Sequence, residues 1–166
     1  MAWDNSWENL FKKRDWGKYP NEELIKFIAR YFYRVSDRAK VKILELGCGP
    51  GANIWYLARE KFNVHGIDGS KTAIKKCIKR LNEEVFHWKG KIQVGDIISL
   101  PYPNNYFDAV IDLEAVAHNS FEDAVSIYNE SHRVLKNNGK LFSRTFANGT
   151  WGEGTGKKLG RNSWQV

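Results

Sequence analysis

The sequence predicts an α/β fold in which helices cover both faces of a parallel sheet. Short apolar runs alternate with segments of helical periodicity over residues 21–146, an order that is typical of parallel strands joined by helical crossovers. A glycine-dense loop, Gly47-Cys48-Gly49-Pro50-Gly51, follows the first run. Asp68 and Asp96 close two later runs, at the strand ends where ligands bind in such sheets.

The chain before the first strand divides into two parts. Residues 22–35 repeat apolar side chains at helical spacing, and Asn21 is a suitable N-cap for that helix. Residues 1–19 show no clear period but are rich in aromatic side chains, so we expect them to pack onto the domain or over a pocket. The aromatic residues of this segment are Trp3, Trp7, Phe11, Trp16 and Tyr19.

Residues 41–68 form one strand–loop–helix–strand unit. The apolar run at 41–46 has the length of a buried strand, residues 52–60 predict a helix, and residues 63–67 predict a second strand that ends in Asp68. The glycine loop directs backbone N–H groups and the positive end of the helix at a ligand. Because Asp68 can accept both hydroxyl protons of a ribose, the unit predicts a nucleotide-like cofactor site.

The chain after Asp68 supplies the rest of the sheet. Ser70 and Ser120 are each placed to cap a helix, and residues 137–139 (Asn-Asn-Gly) are typical of a left-handed helix end. The expected elements are, in order, a helix over 71–82, an uncertain connector over 85–90, a strand over 91–94, a turn-rich loop over 100–105, a strand over 106–113, a helix from 121 to about 136, a strand over 140–146 and a loop over 147–166.

Composition and charge bound the function. The net charge is +7, but no aromatic residues interleave the lysines of residues 71–82, so a solvated helix face is favoured over a nucleic-acid site. No apolar run reaches the ~20 residues of a membrane span, and the polar, aromatic residues at the N-terminus do not predict a signal peptide. The two cysteines, Cys48 and Cys77, have no metal-ligand spacing. We therefore expect reduced thiols, a cytoplasmic protein and no metal site.

The glycine loop alone leaves the cofactor open. Gly47-x-Gly49-x-x-Ala52 with Asp68 satisfies the loose dinucleotide fingerprint, so an NAD-dependent oxidoreductase is one alternative. Three further features bear on the choice. They are Glu45 two residues before the first glycine, Gly95-Asp96 after the third strand, and the blocks FDAVIDLEAVAH and HRVLKNNGKL around the fourth and fifth strands.

In this ordered set of motifs the chain resembles the class I S-adenosylmethionine-dependent methyltransferases, over residues 41–146. The resemblance implies a three-layer Rossmann-like sheet that binds S-adenosyl-L-methionine and releases S-adenosyl-L-homocysteine. It implies that Gly47, Gly49 and Gly51 approach the methionine part and that Asp68 binds the ribose. The other cofactor-binding residues that it implies are Glu45, Cys48, Gly69, Ser70, Asp96, Ile97, Asp112, Leu113 and, at the mouth of the site, Tyr19.

Catalytic candidates follow the fourth strand, where the resemblance places substrate-facing groups. His118 is the candidate base, needed only if the acceptor must lose a proton, and a loop or capping histidine is the alternative. Glu114 is the second candidate, with a structural or cofactor-facing role as its alternative. The acceptor that the resemblance implies is a small molecule.

One domain over residues 1–166 is expected, with an N-terminal segment at 1–38, a cofactor core at 39–146 and a glycine-rich tail at 147–166. The resemblance implies a seven-stranded sheet, but the chain after residue 146 offers no further strands. We therefore expect a truncated sheet of at least five strands, in a short variant or a fragment. Its open edge could pair two copies into a homodimer. A domain that binds the cofactor or a partner without catalysis is the alternative function.

Overall fold

Helices and strands alternate through the central part of the chain. The computed structural model describes residues 4–150, 152–161 and 163–165. The helices are α1 (Asn5–Lys13), α2 (Glu22–Phe32), α3 (Ala52–Arg59), α4 (Lys71–Glu84) and α5 (Phe121–Val134). The strands are β1 (Lys42–Leu46), β2 (Asn63–Asp68), β3 (Lys89–Val94), β4 (Phe107–Leu113), β5 (Leu135–Arg144), β6 (Lys157–Gly160) and β7 (Ser163–Gln165).

The central sheet has the strand order β3-β2-β1-β4-β5, and its neighbouring strands are parallel. The chain leaves β1 toward β2 on one side and reaches β4 on the other. The strand order therefore reverses between β1 and β4, which is the switch point where open α/β sheets bind ligands. This confirms the predicted fold class.

Alternate residues of the central strands enter two separate cores. Ile43 on β1 is fully buried in the core that α2, α3 and α4 cover, whereas Leu44 is fully buried in the core that α5 covers. A strand whose successive side chains are both buried must lie in the middle of three layers. Burial on both faces explains why these strands appear in the sequence as continuous apolar runs.

The connection between β3 and β4 is a loop without a helix, within residues that the structure describes throughout. Arg133 on α5 donates to the carbonyl oxygens of Tyr102 (2.7 Å) and Leu100 (3.0 Å). Glu130 accepts a hydrogen bond from the Leu100 N–H at 2.7 Å and also pairs with Arg133. The buried side chains of Ile97 and Leu100 then fill the second core. The turn-rich sequence thus forms part of the layer that covers this face.

The N-terminal segment is more regular than the sequence indicated. Residues 5–13 form α1, whose N-cap is Asp4: its Oδ1 accepts the Ser6 N–H at 2.8 Å. The sequence showed no clear period here because α1 is short and its buried face is narrow, with Phe11 as its buried residue. Trp3 lies outside the described residues. The N-cap predicted at Asn21 is confirmed, since its Oδ1 accepts from Glu23 at 2.9 Å.

The predicted C-terminal end of α5 was wrong. The helix ends at Val134, and residues 137–139 lie inside β5. The register of β5 against β4 shifts there, from Phe107 opposite Leu135 to Ala109 opposite Lys140. Asn138 has φ 64°, so the left-handed residue that the sequence suggested is present, but it forms a bulge in the edge strand.

The tail also differs from the predicted loop. Its strands β6 and β7 form an antiparallel hairpin with its own two-stranded sheet. This hairpin does not extend the central sheet, so among the described residues β5 remains an edge strand. None of the described helices has the length and apolar character to cross a membrane.

Gly51 offers a test of how the glycine loop packs against α4. Its φ is +86°, and a Cβ there would overlap the Cys77 sulfur. Gly149 has a similar φ of +80° with nothing within 4 Å of an added Cβ, so it is a matched control for backbone strain. We expect Gly51→Ala to lower the free energy of unfolding by about 1–3 kcal/mol more than Gly149→Ala does, through overpacking. Urea denaturation measures both.

The second substitution Cys77→Ala should restore part of the stability lost in Gly51→Ala. If Gly51→Ala and Gly149→Ala lower the free energy of unfolding equally, backbone strain, rather than the contact with α4, requires glycine in the loop.

Candidate functional site

A cavity of about 360 Å³ opens at the carboxyl ends of the strands, on the side where the strand order reverses. Its size lies at the lower end of the range for ligand sites in proteins. The glycine loop after β1, the residues that end or follow β2, β3 and β4, and the N-terminal segment all contribute to its lining. The walls therefore come from segments far apart in sequence.

Asp68 connects two of these walls. Its carboxylate is 6% exposed; Oδ2 accepts the Gly49 N–H at 2.9 Å and Oδ1 accepts the Ser70 N–H at 2.8 Å. Burial raises the pKa of this carboxyl, although both hydrogen bonds act in the opposite direction. Each oxygen keeps a second acceptor position, so Asp68 can hold the loops and still bind a ligand hydroxyl.

Glu45 lines the cavity and carries one buried oxygen without a hydrogen-bond partner among the described residues. Its Oε1 accepts a hydrogen bond from Asn53 at 2.7 Å, whereas its buried Oε2 has no partner among the described residues. Burial is the main cause that raises its pKa to about 8, and the charges of Asp68 and Asp112 add to the rise. A buried oxygen without a partner is destabilising unless a ligand donates to it. A cationic N–H donor, such as an ammonium group, fits this position.

Most of the residues predicted for the site line this one cavity. Ser70 and Asp112 are not among the lining residues, since Ser70 caps α4 by accepting from the Ala73 N–H at 3.0 Å. The predicted residues that do line it are Tyr19, Glu45, Gly47, Cys48, Gly49, Gly51, Asp68, Gly69, Asp96, Ile97, Leu113, Glu114 and His118.

Asp112 does not line the cavity but holds the segment that does. It is fully buried, and it accepts hydrogen bonds from the Val116 N–H at 3.0 Å and the Ser143 hydroxyl at 2.8 Å. These bonds fix the turn after β4 and tie it to β5. Asp112 therefore positions the segment that carries Glu114 and His118.

Aromatic rings of the N-terminal segment form one wall of the cavity. Phe11 lies 5.6 Å from Trp16 and 6.0 Å from Trp7, measured between ring centroids. Trp7 also meets the His118 ring edge-on at 4.9 Å. Tyr19 lines the mouth but is 83% exposed. The expectation that this segment packs over a pocket agrees with these positions.

His118 lies among these rings. Burial lowers the pKa of its imidazole, although the charges of Glu114 and Asp112 act in the opposite direction. The ring is therefore neutral near pH 7 and able to accept a proton. The Glu114 Oε1 atom lies 3.6 Å from Nη2 of Arg144, and the backbone N–H of Glu114 donates to the Arg144 carbonyl at 2.9 Å.

The cysteine of the glycine loop is not arranged as a nucleophile. Contact with Cys77 and burial both raise the pKa of the Cys48 thiol. It therefore stays protonated near neutral pH, and a thiol is a weak nucleophile. Its role in the cavity is that of a small apolar wall.

A single carboxylate attaches α1 to the loop after β2. Glu8 accepts hydrogen bonds from the Ser70 hydroxyl at 2.5 Å and from the Thr72 hydroxyl at 2.7 Å. It also accepts from the Thr72 N–H at 3.2 Å, at the positive end of α4. Hydrogen bonds from Ser70 and Thr72 lower the pKa of Glu8 to about 2. Glu8 thus links the aromatic wall to the residues next to Asp68.

Several lining residues were missed by the sequence reasoning. Arg144 ends β5, so the rule that ligands meet strand ends could have found it. Trp7 and Phe11 were expected to pack onto the domain or over a pocket, but α1 itself was missed; their spacing of four residues, about one helical turn, was its available signal. Asn119 and Asp4 carried no signal in the sequence, because turns and caps bring them to the cavity.

Comparison with known proteins gives one family. A family described as a methyltransferase domain matches residues 44–143, more than half of the chain. A sterol 24-C-methyltransferase of Aspergillus fumigatus is 32% identical over 112 residues, which are 64% of this chain and 28% of that protein. Phosphoethanolamine N-methyltransferase 1 of Arabidopsis thaliana is 32% identical over 105 residues, or 60% of this chain and 20% of that protein.

A solved structure has a similar fold. The PH0226 protein of Pyrococcus horikoshii superposes with a TM-score of 0.63 at 28% identity, over 72% of this chain and 53% of that one. The chain spans less than a third of the length of both curated relatives named above.

The Glu8 contact predicts how α1 responds to mutation and acid. We expect Glu8→Gln to raise the hydrogen exchange of residues 5–13 roughly tenfold, the order of effect of losing a charge-assisted hydrogen bond. Because the pKa of Glu8 is lowered from 4.5 to about 2, its contribution is complete above pH 4.5 and is lost as the pH falls toward 2. Mass spectrometry of exchanged peptides measures both effects.

Glu22→Gln is the control, since Glu22 makes only an exposed ion pair with Lys26 on α2. Unchanged exchange of residues 5–13 in Glu8→Gln would show that the aromatic contacts alone hold α1.

Proposed function

The chain belongs to the methyltransferase-domain family, and we propose that it transfers the methyl group of S-adenosylmethionine to a small-molecule acceptor. One observation carries the proposal. Carboxyl groups at or after the ends of three successive strands, Glu45, Asp68 and Asp96, line the same cavity beside a glycine loop. A cofactor with an ammonium group and a ribose offers donors to two of these carboxyls, whereas a dinucleotide pyrophosphate would meet negative charge.

The residues that would hold the cofactor follow from their contacts. Glu45 Oε2 would accept from the amino group, because it is a buried acceptor without a partner among the described residues. Asp68 would accept from the ribose hydroxyls through the second lone pairs of its oxygens. Asp96 with Ile97 would bind the adenine edge. When bound, the cofactor supplies an electrophilic methyl group on a sulfonium.

The chain's own residues then position the acceptor and exclude water. The rings of Trp7, Phe11 and Trp16 cover the cavity, and transfer benefits from a dry site with aligned reactants. His118 would accept a proton from an acceptor that must lose one. Glu114 lies beside it and would orient the acceptor or the imidazole.

Other features support the rest of the assignment. The relatives named above methylate, by their names, a sterol and phosphoethanolamine, which supports a small-molecule acceptor. The free, buried cysteines Cys48 and Cys77 suit a cytoplasmic protein. The edge of β5 carries the half-exposed side chain of Leu141, and a second copy of the chain would cover it in a homodimer.

Calorimetry and a transfer assay test the proposed function. S-adenosylhomocysteine should bind at micromolar concentration and NAD should not, and labelled methyl should pass from S-adenosylmethionine to an added acceptor. Tight binding of NAD alone would overturn the proposal. Binding of S-adenosylhomocysteine without transfer to any acceptor would favour a domain that binds the cofactor without catalysis.

Glu45 makes cofactor binding dependent on pH. With a pKa of about 8 in the free protein, it is mostly protonated at pH 7, and an ammonium ligand would lower that pKa. Binding should therefore release up to one proton, and the affinity for S-adenosylhomocysteine should rise between pH 6 and pH 8, by up to about tenfold per pH unit. Calorimetry in buffers of different ionisation enthalpy counts the proton.

Glu45→Gln should bind more weakly and show no proton release, while the control Glu60→Gln, altered in an ion pair with Arg38, should retain it. Proton release that persists in Glu45→Gln would assign the linkage to another group, with Asp68 and Asp112 the nearest candidates.

A further inference from the structure

The cavity has the opposite charge to the protein as a whole. The chain carries a net charge of +7, yet among the described residues Arg144 is the one lysine or arginine that lines the cavity. Its guanidinium lies 3.6 Å from Glu114, which also lines the cavity and offsets it. The acidic lining residues are Asp4, Glu45, Asp68, Asp96 and Glu114. A cleft lined by one sign of charge concentrates ligands of the other sign.

The negative charge exceeds what the proposed cofactor offsets. Glu45 is largely protonated near pH 7 because of its raised pKa, and the cofactor brings one net positive charge. Negative charges on the lining therefore still outnumber positive ones after the protonation of Glu45 and the charge of the cofactor are taken into account. An anionic acceptor would be repelled from this cavity, and a cationic one would be attracted.

The aromatic wall also favours a cationic acceptor. Trp7, Phe11 and Trp16 contact one another with centroids 5.6–6.2 Å apart, and Trp7 meets His118. Indole faces attract ammonium groups and do so more strongly when water is excluded. The wall belongs to the N-terminal segment and meets the turn after β4 through the contact of Trp7 with His118. Because His118 is the candidate base for the acceptor, the acceptor would lie beside this wall.

From the charge and the aromatic wall together, we propose that the methyl acceptor is an amine, held as an ammonium group against Trp7 and Trp16. This inference rests on the proposed function. In the reaction the ammonium first loses a proton to the neutral imidazole of His118. The nitrogen lone pair then forms the N–CH₃ bond as the S–CH₃ bond breaks, and that electron pair stays on sulfur. The positive charge passes from sulfur to nitrogen and remains inside an acidic, aromatic cavity, which stabilises it throughout.

The test compares ligands of one shape and different charge. Choline, its neutral isostere 3,3-dimethyl-1-butanol and the anion 3,3-dimethylbutanoate are titrated into protein saturated with S-adenosylhomocysteine, with calorimetry as the readout. Choline should bind at least tenfold more tightly than either of the others. Trp16→Leu should lower the affinity for choline about five- to thirtyfold and leave the alcohol nearly unchanged. Trp164→Leu, altered on β7, is the matched control and should have no effect.

Binding of S-adenosylhomocysteine is measured first, so that the two proposals can be separated. Its absence overturns the proposed function and this inference with it. If it binds and the alcohol or the butanoate equals choline, the amine acceptor is ruled out while the proposed function stands. Loss of the preference for choline in Trp16→Leu, together with its retention in Trp164→Leu, supports the amine.

Discussion

The buried carboxylate of Asp68 holds the site together. Its two hydrogen bonds, to the N–H groups of Gly49 and Ser70, join the loop after β1 to the loop after β2. Ser70 in turn caps α4 and donates to Glu8, which carries α1 and its aromatic rings. The floor, one wall and the cover of the cavity are thus connected through a few adjacent polar atoms. A residue assigned to ligand binding from its sequence position also organises the fold around it.

The same arrangement gathers carboxyl groups where water is scarce. Glu45, Asp68 and Asp112 are all buried, and burial is the main cause that raises the pKa of each. Desolvation opposes the ionisation of all three, and the charges of Asp68 and Asp112 add to this effect at Glu45. Hydrogen bonds to Asp68 and Asp112 offset part of the desolvation of these two carboxyls, but Glu45 keeps one oxygen without a partner among the described residues. The proposed cationic ligand would remove that cost on binding, so the free energy of this unpaired oxygen would contribute to affinity.

Sequence reasoning found the sheet and most of the site because both depend on local patterns. Apolar runs with acidic ends gave β1, β2 and β4. The resemblance to the methyltransferases, in agreement with the rule that parallel strands present ligands at their carboxyl ends, assigned Glu45, Asp68 and Asp96 to one site. Sequence reasoning failed where tertiary contacts decide. The Asn-Asn-Gly run at 137–139 is the sequence of a helix end, but pairing with β4 draws it into an edge strand. Ser70 and Asp112 were predicted to bind the cofactor, yet Ser70 caps α4, as was also predicted, and Asp112 accepts from the backbone of the turn after β4.

The glycine loop shows why its motif alone could not identify the cofactor. A Cβ at Gly51 would overlap Cys77 on α4, and a Cβ at Gly47 would meet the Ala115 side chain at 2.5 Å. Both glycines are therefore required by packing, whatever ligand the loop approaches, and any fold with this tight turn needs them. The choice between a pyrophosphate and a sulfonium ligand lies in the charge of the surrounding groups. Here Glu45 and Asp96 line the cavity around the loop, so the acids at the strand ends, rather than the glycines, specify the kind of ligand.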